Sequence, residues 1–172
     1  MPVSAVRAYA KSPQFSSEDF RAALGQFATG VTIVTACLPS GQRVGLTANS
    51  FNSVSLTPPL VLWSLAQASS TLALFREVSH YAINVLAADQ KPLAQRFAMR
   101  DIDRFEGVDF ARGQTGALVL DDAVAVFECF NRSRYAEGDH VIFVGEVEHC
   151  RHRPGVAPLV YHAGRFHTRS AL

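Results

Sequence analysis

Two long runs in the second half of the chain, Ala123 to Tyr135 and His140 to Arg151, constrain the fold more than any other feature. Only Ala136-Glu137-Gly138-Asp139 separates them, so the two runs must fold back on each other as an antiparallel hairpin. In the second run Val141, Phe143 and Gly145 alternate with Ile142, Val144 and Glu146, and both sets are largely apolar at first. A strand that is apolar on both faces is expected in the middle of a sheet or barrel, covered on either side. Upstream, Val31 to Cys37 is a β-branched run that reads as a buried strand, Pro39-Ser40-Gly41-Gln42 as a turn, and Arg43 to Leu46 as the returning strand. Leu60 to Leu65 and Tyr81 to Ala87 read as further strands, and Tyr161 to Phe166 as a last hairpin. Long strands with few helices predict a closed or nearly closed antiparallel barrel.

The helices are short. Ser16 or Ser17 is placed to cap a helix carrying Glu18 and Asp19 in its first turn, and Gly30 is expected to end it. Phe20, Leu24, Phe27 and Ala28 recur at helical spacing, so this helix is expected to turn one face to the core. Residues 1–16 show no periodicity and read as a tail ahead of one domain over 17–172. Asp89 is expected to cap a second helix, Gln90 to Met99, with Pro92 in the tolerated first turn. The mixed charges Arg96, Arg100, Asp101, Asp103, Arg104 and Glu106 read as a solvated surface or an interface rim.

Composition narrows the partners. Lys and Arg total 16 against 15 Asp and Glu, a formal charge of +1 that gives no reason to expect nucleic acid or an anionic membrane. No run approaches the roughly 20 apolar residues of a membrane span, and the N-terminus lacks the apolar core of a signal peptide. The three cysteines, Cys37, Cys129 and Cys150, are scattered, which fits a reducing cytoplasm. There is no Gly-x-Gly-x-x-Gly, and Gly25 to Gly30 has the outer spacing of a phosphate-binding loop but is followed by Val31-Thr32 rather than Lys-Ser/Thr. His149 and His152 are three apart in a strand-like region and point to opposite faces, so no metal site is expected from them. No serine or cysteine stands in a recognisable nucleophile setting.

The segment Thr47 to Leu65 is the most informative chemically. Its first half is rich in Asn, Ser and Thr and presents short hydrogen-bonding groups, after which Pro58 and Pro59 lead into an apolar run. By composition it reads equally well as a binding loop or as a polar turn between strands. Ala68-Ser69-Ser70-Thr71 precedes Leu72-Ala73-Leu74-Phe75, a pattern that reads first as a plain helix cap and second as an anion site.

Phe20 to Thr35, the Thr47 to Leu65 segment, Tyr81 to Leu86, Gly138-Asp139-His140 and Gly145-Glu146-Val147 together resemble the short-chain flavin reductases, the reductase components of two-component flavin-dependent monooxygenases. The resemblance runs from Phe20 to Phe166 in the family's order. It implies an FMN-binding split β-barrel of Greek-key-like antiparallel strands, a homodimer, and reduction of FMN or FAD by NADH or NADPH. It places Thr47, Ala48, Asn49, Ser50, Ser53, Val54 and Ser55 along the polar edge of the flavin ring, and Ser64, Ser69, Ser70 and Thr71 near the ribityl chain and phosphate. Gly138, Asp139 and His140 are then the side where nicotinamide enters, with His140 orienting the ring or passing a proton, and Arg165 and Phe166 closing the pocket. Trp63 stands where many members carry a smaller residue, so it either lines the pocket or packs in the core.

Overall fold

The structure, a computed structural model, describes residues 13–168, so residues 1–12 of the expected tail lie outside the described residues. In chain order the elements are helix α1 (Ser17–Gly25), strands β1 (Thr29–Gly30), β2 (Thr32–Cys37), β3 (Arg43–Ala48), β4 (Asn52–Leu56) and β5 (Pro59–Ala66), then helix α2 (Leu72–Glu77). There follow β6 (His80–Val85), a 3-10 turn (Ala88–Gln90), helix α3 (Lys91–Ala98), β7 (Ala111–Arg112), β8 (Leu118–Val119), β9 (Ala125–Glu137), β10 (His140–His152), β11 (Val160–His162) and β12 (Arg165–His167).

Seven strands form one antiparallel sheet in the order β3-β2-β6-β9-β10-β5-β4. The expected β9–β10 hairpin forms around Gly138 and Asp139, with Gly138 in the left-handed region at φ 57°. β10 lies inside the sheet, as its two apolar faces require. The mainly β, antiparallel character is as expected, but the sheet is not closed. Its edge strands β3 and β4 follow each other in the chain yet do not pair, because β4 turns back through Thr57-Pro58 to pair with β5. The polar segment is correspondingly less of a loop than its composition suggests: Asn49-Ser50-Phe51 and Thr57-Pro58 are short connections, and Asn52–Leu56 between them is an edge strand with a bulge between Ser53 and Ser55.

An aromatic core sits against β5, β6 and β10. Trp63 is fully buried, stacked on Phe143 at 4.6 Å between ring centroids and met edge-on by Phe75 at 5.0 Å and Tyr81 at 5.7 Å. Of the two readings of Trp63, the structure realises the core one. A second cluster, built on Ile33, Phe97, Leu120 and Leu159, lies beneath α3 and the C-terminal strands. Burial, followed by the charges of Glu148 and Glu128, pushes the Cys129 thiol up to about 12, so it stays an inert core group.

Three sequence expectations are corrected. Ser16 does cap α1: its Oγ accepts from Asp19 N at 3.0 Å while the Asp19 carboxylate accepts from Ser16 N at 3.2 Å, but the helix ends at Gly25, and Gly30 belongs to β1. The apolar stripe of α1 does not enter the core. Phe20, Leu24 and Phe27 are 50%, 57% and 72% exposed, because the sheet's own aromatics fill the core and α1 is held by its end, where Ala163 N donates to Gly25 O at 2.7 Å. Asp89 caps nothing; α3 starts at Lys91, and the Gln90 side chain accepts from Ala87 N at 2.8 Å. The charged cluster is an anchor as well as a surface. Arg96 donates to the carbonyls of Arg104 and Asp103 at 2.9 and 2.8 Å, and Arg104 donates to those of Met99 and Gly45 at 2.8 and 2.7 Å, tying the segment after α3 to β3.

Gly145 marks the tightest approach in the core. A Cβ there would clash with the Tyr81 hydroxyl oxygen and lie 2.9 Å from Cys129 Cβ. Gly145→Ala is expected to destabilise the protein by about 1–3 kcal/mol in urea unfolding, and Tyr81→Phe in the same chain to recover part of that loss. A Gly145→Ala protein as stable as the parent would show that β10 and β6 are packed less closely than described.

Candidate functional site

Strand β5 organises the site. Val61, Trp63 and Leu65 point into the aromatic core, so Leu62, Ser64 and Ala66 alternate onto the opposite, half-buried face. Register with β10 sets His140 opposite Ala66, Ile142 opposite Ser64 and Val144 opposite Leu62. This face is therefore an apolar floor edged by Ser64 and His140.

The polar connection folds onto that edge. Ser50 Oγ accepts from Ser64 N at 2.9 Å and donates to Ser64 O at 3.2 Å, so one hydroxyl satisfies both backbone groups of a β5 residue. Asn49 is exposed beside it. Thr47 and Ala48 are engaged elsewhere: Thr47 Oγ1 donates to Ala94 O at 2.6 Å, docking α3 on β3, and Ala48 O accepts from Thr32 Oγ1 at 2.7 Å. Ser53 is exposed, Val54 is the extra residue of the bulge at 49% exposure, and the Ser55 hydroxyl accepts from Thr57 N at 3.2 Å.

Beyond Ala66 the chain turns through Gln67 to Ser69-Ser70-Thr71. None of these hydroxyls caps α2; Ser69 Oγ and Thr71 Oγ1 lie 2.9 Å apart. Ser70 and Thr71 instead line a cleft of about 220 Å3 with Arg43, Gly45, Arg104 and Phe105. Burial and neighbouring Arg100 hold the Arg104 guanidinium below its ordinary value, with Asp101 acting in the opposite direction. Arg43 lies over the rings of Phe105 and Phe110, 5.2 Å from each centroid.

The β9–β10 turn stands at the other side of Ala66. Gln67 N donates to Asp139 O at 2.8 Å and Gln67 Nε2 donates to Gly138 O at 3.0 Å. His140 Nδ1 and Asp139 Oδ1 are 2.7 Å apart, and this hydrogen bond holds the Asp139 carboxyl below the usual carboxylate range, with Arg21 of α1 adding to the effect. The C-terminal end of helix α1 is held by the Ala163-Gly164 turn, where Ala163 N donates to Gly25 O. Arg165 is exposed just past that second turn, and Phe166 packs on Tyr161 at 5.1 Å. The structure therefore brings Ser50, Ser64, Gln67, Asp139 and His140 together around the end of β5. Arg165 and Phe166 are not brought into that group by any hydrogen bond among the described residues. Two participants escape sequence reasoning. Gln67 has no local signal, since its role depends on the register of two strands and on a partner, Gly138, 71 residues away; Arg104 sits in a charge cluster indistinguishable from a solvated surface.

The chemistry offered is positional. An apolar floor, a rim of short donors and a histidine pinned by a carboxylate suit flat, heteroatom-rich rings, and no nucleophile–base pair is assembled in the group. The flavin reductase like domain model matches residues 24–170 of this chain. The chain belongs to the flavin reductase family. Within that family it is 48% identical over 151 residues, covering 88% of this chain and 85% of the relative, to the FMN reductase (NADH) SmoA of Agrobacterium fabrum. It is 41% identical over 150 residues to the reductase component of the flavin-dependent trigonelline monooxygenase of Acinetobacter baylyi, covering 87% of this chain but 48% of that relative. Among solved structures, the flavin reductase fold described here superposes on the NADH:FAD oxidoreductase SgcE6 of Streptomyces globisporus, solved with NAD and FAD fragments. The TM-score is 0.85 at 35% identity, covering 93% of this chain and 98% of that one.

Because Ser50 satisfies Ser64 twice, Ser50→Ala should lower stability by about 1–2 kcal/mol and speed amide exchange at Ser64, read by urea unfolding and hydrogen exchange. Unchanged exchange at Ser64 would mean that this connection is not anchored to β5.

Proposed function

We propose that this chain is an NAD(P)H:flavin oxidoreductase that supplies reduced FMN or FAD to a partner flavin-dependent monooxygenase. The observation that carries the proposal is the attachment of both turns to the end of β5: Ser50 on Ser64 from one side, Gln67 on Gly138 and Asp139 from the other. Two ring systems have to be held face to face for this reaction, and these attachments set two ring-binding edges a few residues apart.

When bound, the nicotinamide and flavin rings would themselves supply the hydride-transfer chemistry. The chain's part is to hold them. Asn49, Ser53 and the backbone of Thr47 to Ser50 would meet the flavin's polar edge, with Val54 and Ser55 continuing it. Ser64, Ser69, Ser70 and Thr71 would follow the ribityl chain toward the phosphate, where Arg104 supplies a cation. The residues present fit such a group, since the 49–53 segment offers outward donors beside a half-buried apolar face. Gly138, Asp139 and His140 would receive the nicotinamide. With Nδ1 engaged by Asp139, His140 keeps a fixed ring orientation, which favours positioning over proton transfer. Arg165 and Phe166 would close the far side.

The proposal includes a homodimer, which exposed apolar side chains near the N-terminus support. Phe20 and Leu24 on α1 and Phe27 just past its end leave exposed apolar surface that a second copy would cover. Three unpaired cysteines among the described residues support a reducing, cytoplasmic setting, and no helix among them is long and apolar enough to cross a membrane.

The test is steady-state NADH and NADPH oxidation with and without added flavin, on protein whose mass is measured by sedimentation. Oxidation that rises with added FMN or FAD, from a dimer, is expected. Oxidation independent of added flavin would mark a self-contained flavoenzyme, and tight flavin binding without oxidation would mark a carrier; either contradicts the proposal.

A further inference from the structure

We propose that Gln67 is a positioning residue: it holds the Gly138-Asp139-His140 turn against the end of β5 and thereby sets the affinity for the nicotinamide substrate, leaving flavin affinity unchanged. The inference rests on the reading of that turn as the nicotinamide side.

Gln67 is the first residue past β5, whose last residue Ala66 is paired with His140. Here the backbone ladder between the two strands ends, and Gln67 continues it by other means. Its N–H donates to Asp139 O at 2.8 Å, and its side-chain Nε2 donates to Gly138 O at 3.0 Å. One residue thus takes both carbonyls of a two-residue turn. The turn needs that hold. Gly138 has φ 57° and no side chain, and both turn residues are exposed. The Asp139 carboxylate in turn fixes His140 Nδ1 at 2.7 Å, so displacement of the Asp139 backbone carries the imidazole with it. Gln67 is therefore two hydrogen bonds removed from the ring it orients.

Its position in the chain gives it a second connection. Two residues on, Ser69 N donates to Ala66 O at 3.0 Å, and Ser69 Oγ accepts from Thr71 N at 3.3 Å, so the 69–71 turn is held independently of the Gln67 side chain. Losing Nε2 should accordingly loosen the 138–140 turn and leave the 69–71 turn in place. The Gly138 carbonyl is at the surface, where water replaces the lost donor, so global stability should hardly change while the turn samples more positions.

Gln67→Leu keeps the backbone N–H and the side chain's bulk but has no donor. The KM for NADH should rise about threefold to tenfold with kcat within about twofold, because the ring is bound less well but reacts from the same geometry once bound. Flavin affinity, from fluorescence titration, and the melting temperature should match the parent. Gln67→Glu, with oxygen opposite the Gly138 carbonyl, should be at least as impaired, and Gln67→Lys, which retains a nitrogen donor, should recover most of the loss. His140→Ala is measured alongside. If His140→Ala raises the KM for NADH and Gln67→Leu does not, the inference is overturned and the reading of the turn survives. Weakened flavin binding in Gln67→Leu also overturns it. If neither variant changes the KM for NADH, the turn is not the nicotinamide side and both fall together.

Discussion

The register between β5 and β10 is the constraint on which the rest of the structure depends. Seven consecutive pairs, from His140 opposite Ala66 to Glu146 opposite Leu60, put Trp63 beside Phe143 on one face and Ser64 beside Ile142 on the other. Side chains alternate with a period of two, so a slip by one residue would turn Trp63 outward and drive Ser64 into the core. The stack of Trp63 on Phe143, with Phe75 and Tyr81 edge-on, makes that slip costly. Core packing thus holds the register, and the register holds the site.

A blank site is what this chemistry allows. Where the reacting electrons belong to bound ring systems, a protein contributes distance and orientation, and in the proposed site both would be set by hydrogen bonds between backbone and polar side chains. Ser50 on Ser64, Gln67 on Gly138 and Asp139, and Asp139 on His140 form one series along the end of β5. Gln67, Gly138, Asp139 and His140 are exposed, so their hydrogen bonds contribute little to global stability and their turn keeps the freedom to adjust, whereas the half-buried pair of Ser50 and Ser64 contributes more. The rigid part lies underneath, in the aromatic cluster.

Much of this was legible in the residues. The β9–β10 hairpin follows from two long runs and a turn containing glycine, and the interior place of β10 from apolar residues on both its faces. The capping box at Ser16 and Asp19 is a local pattern and forms as such. What could not be read was non-local. The stripe of Phe20, Leu24 and Phe27 has the periodicity of a core-facing helix, but periodicity says only that the residues share a face, and here other aromatics already fill the core. Asn52–Leu56 looks like a loop by composition and is a strand because β5 offers it an unpaired edge. The arginines at 96 and 104 look solvated, yet four backbone carbonyls that no motif announces receive their donors.

The central claim is that one strand end carries both ring-binding edges, and hydrogen–deuterium exchange on the intact protein tests it most directly. Oxidised flavin alone should slow exchange in residues 47–55 and 64–71, and NAD+ added to the flavin-bound protein should slow exchange further at residues 138–140. Protection by either ligand that falls instead on the separate cleft lined by Cys37, His80 and Arg112 would contradict the account.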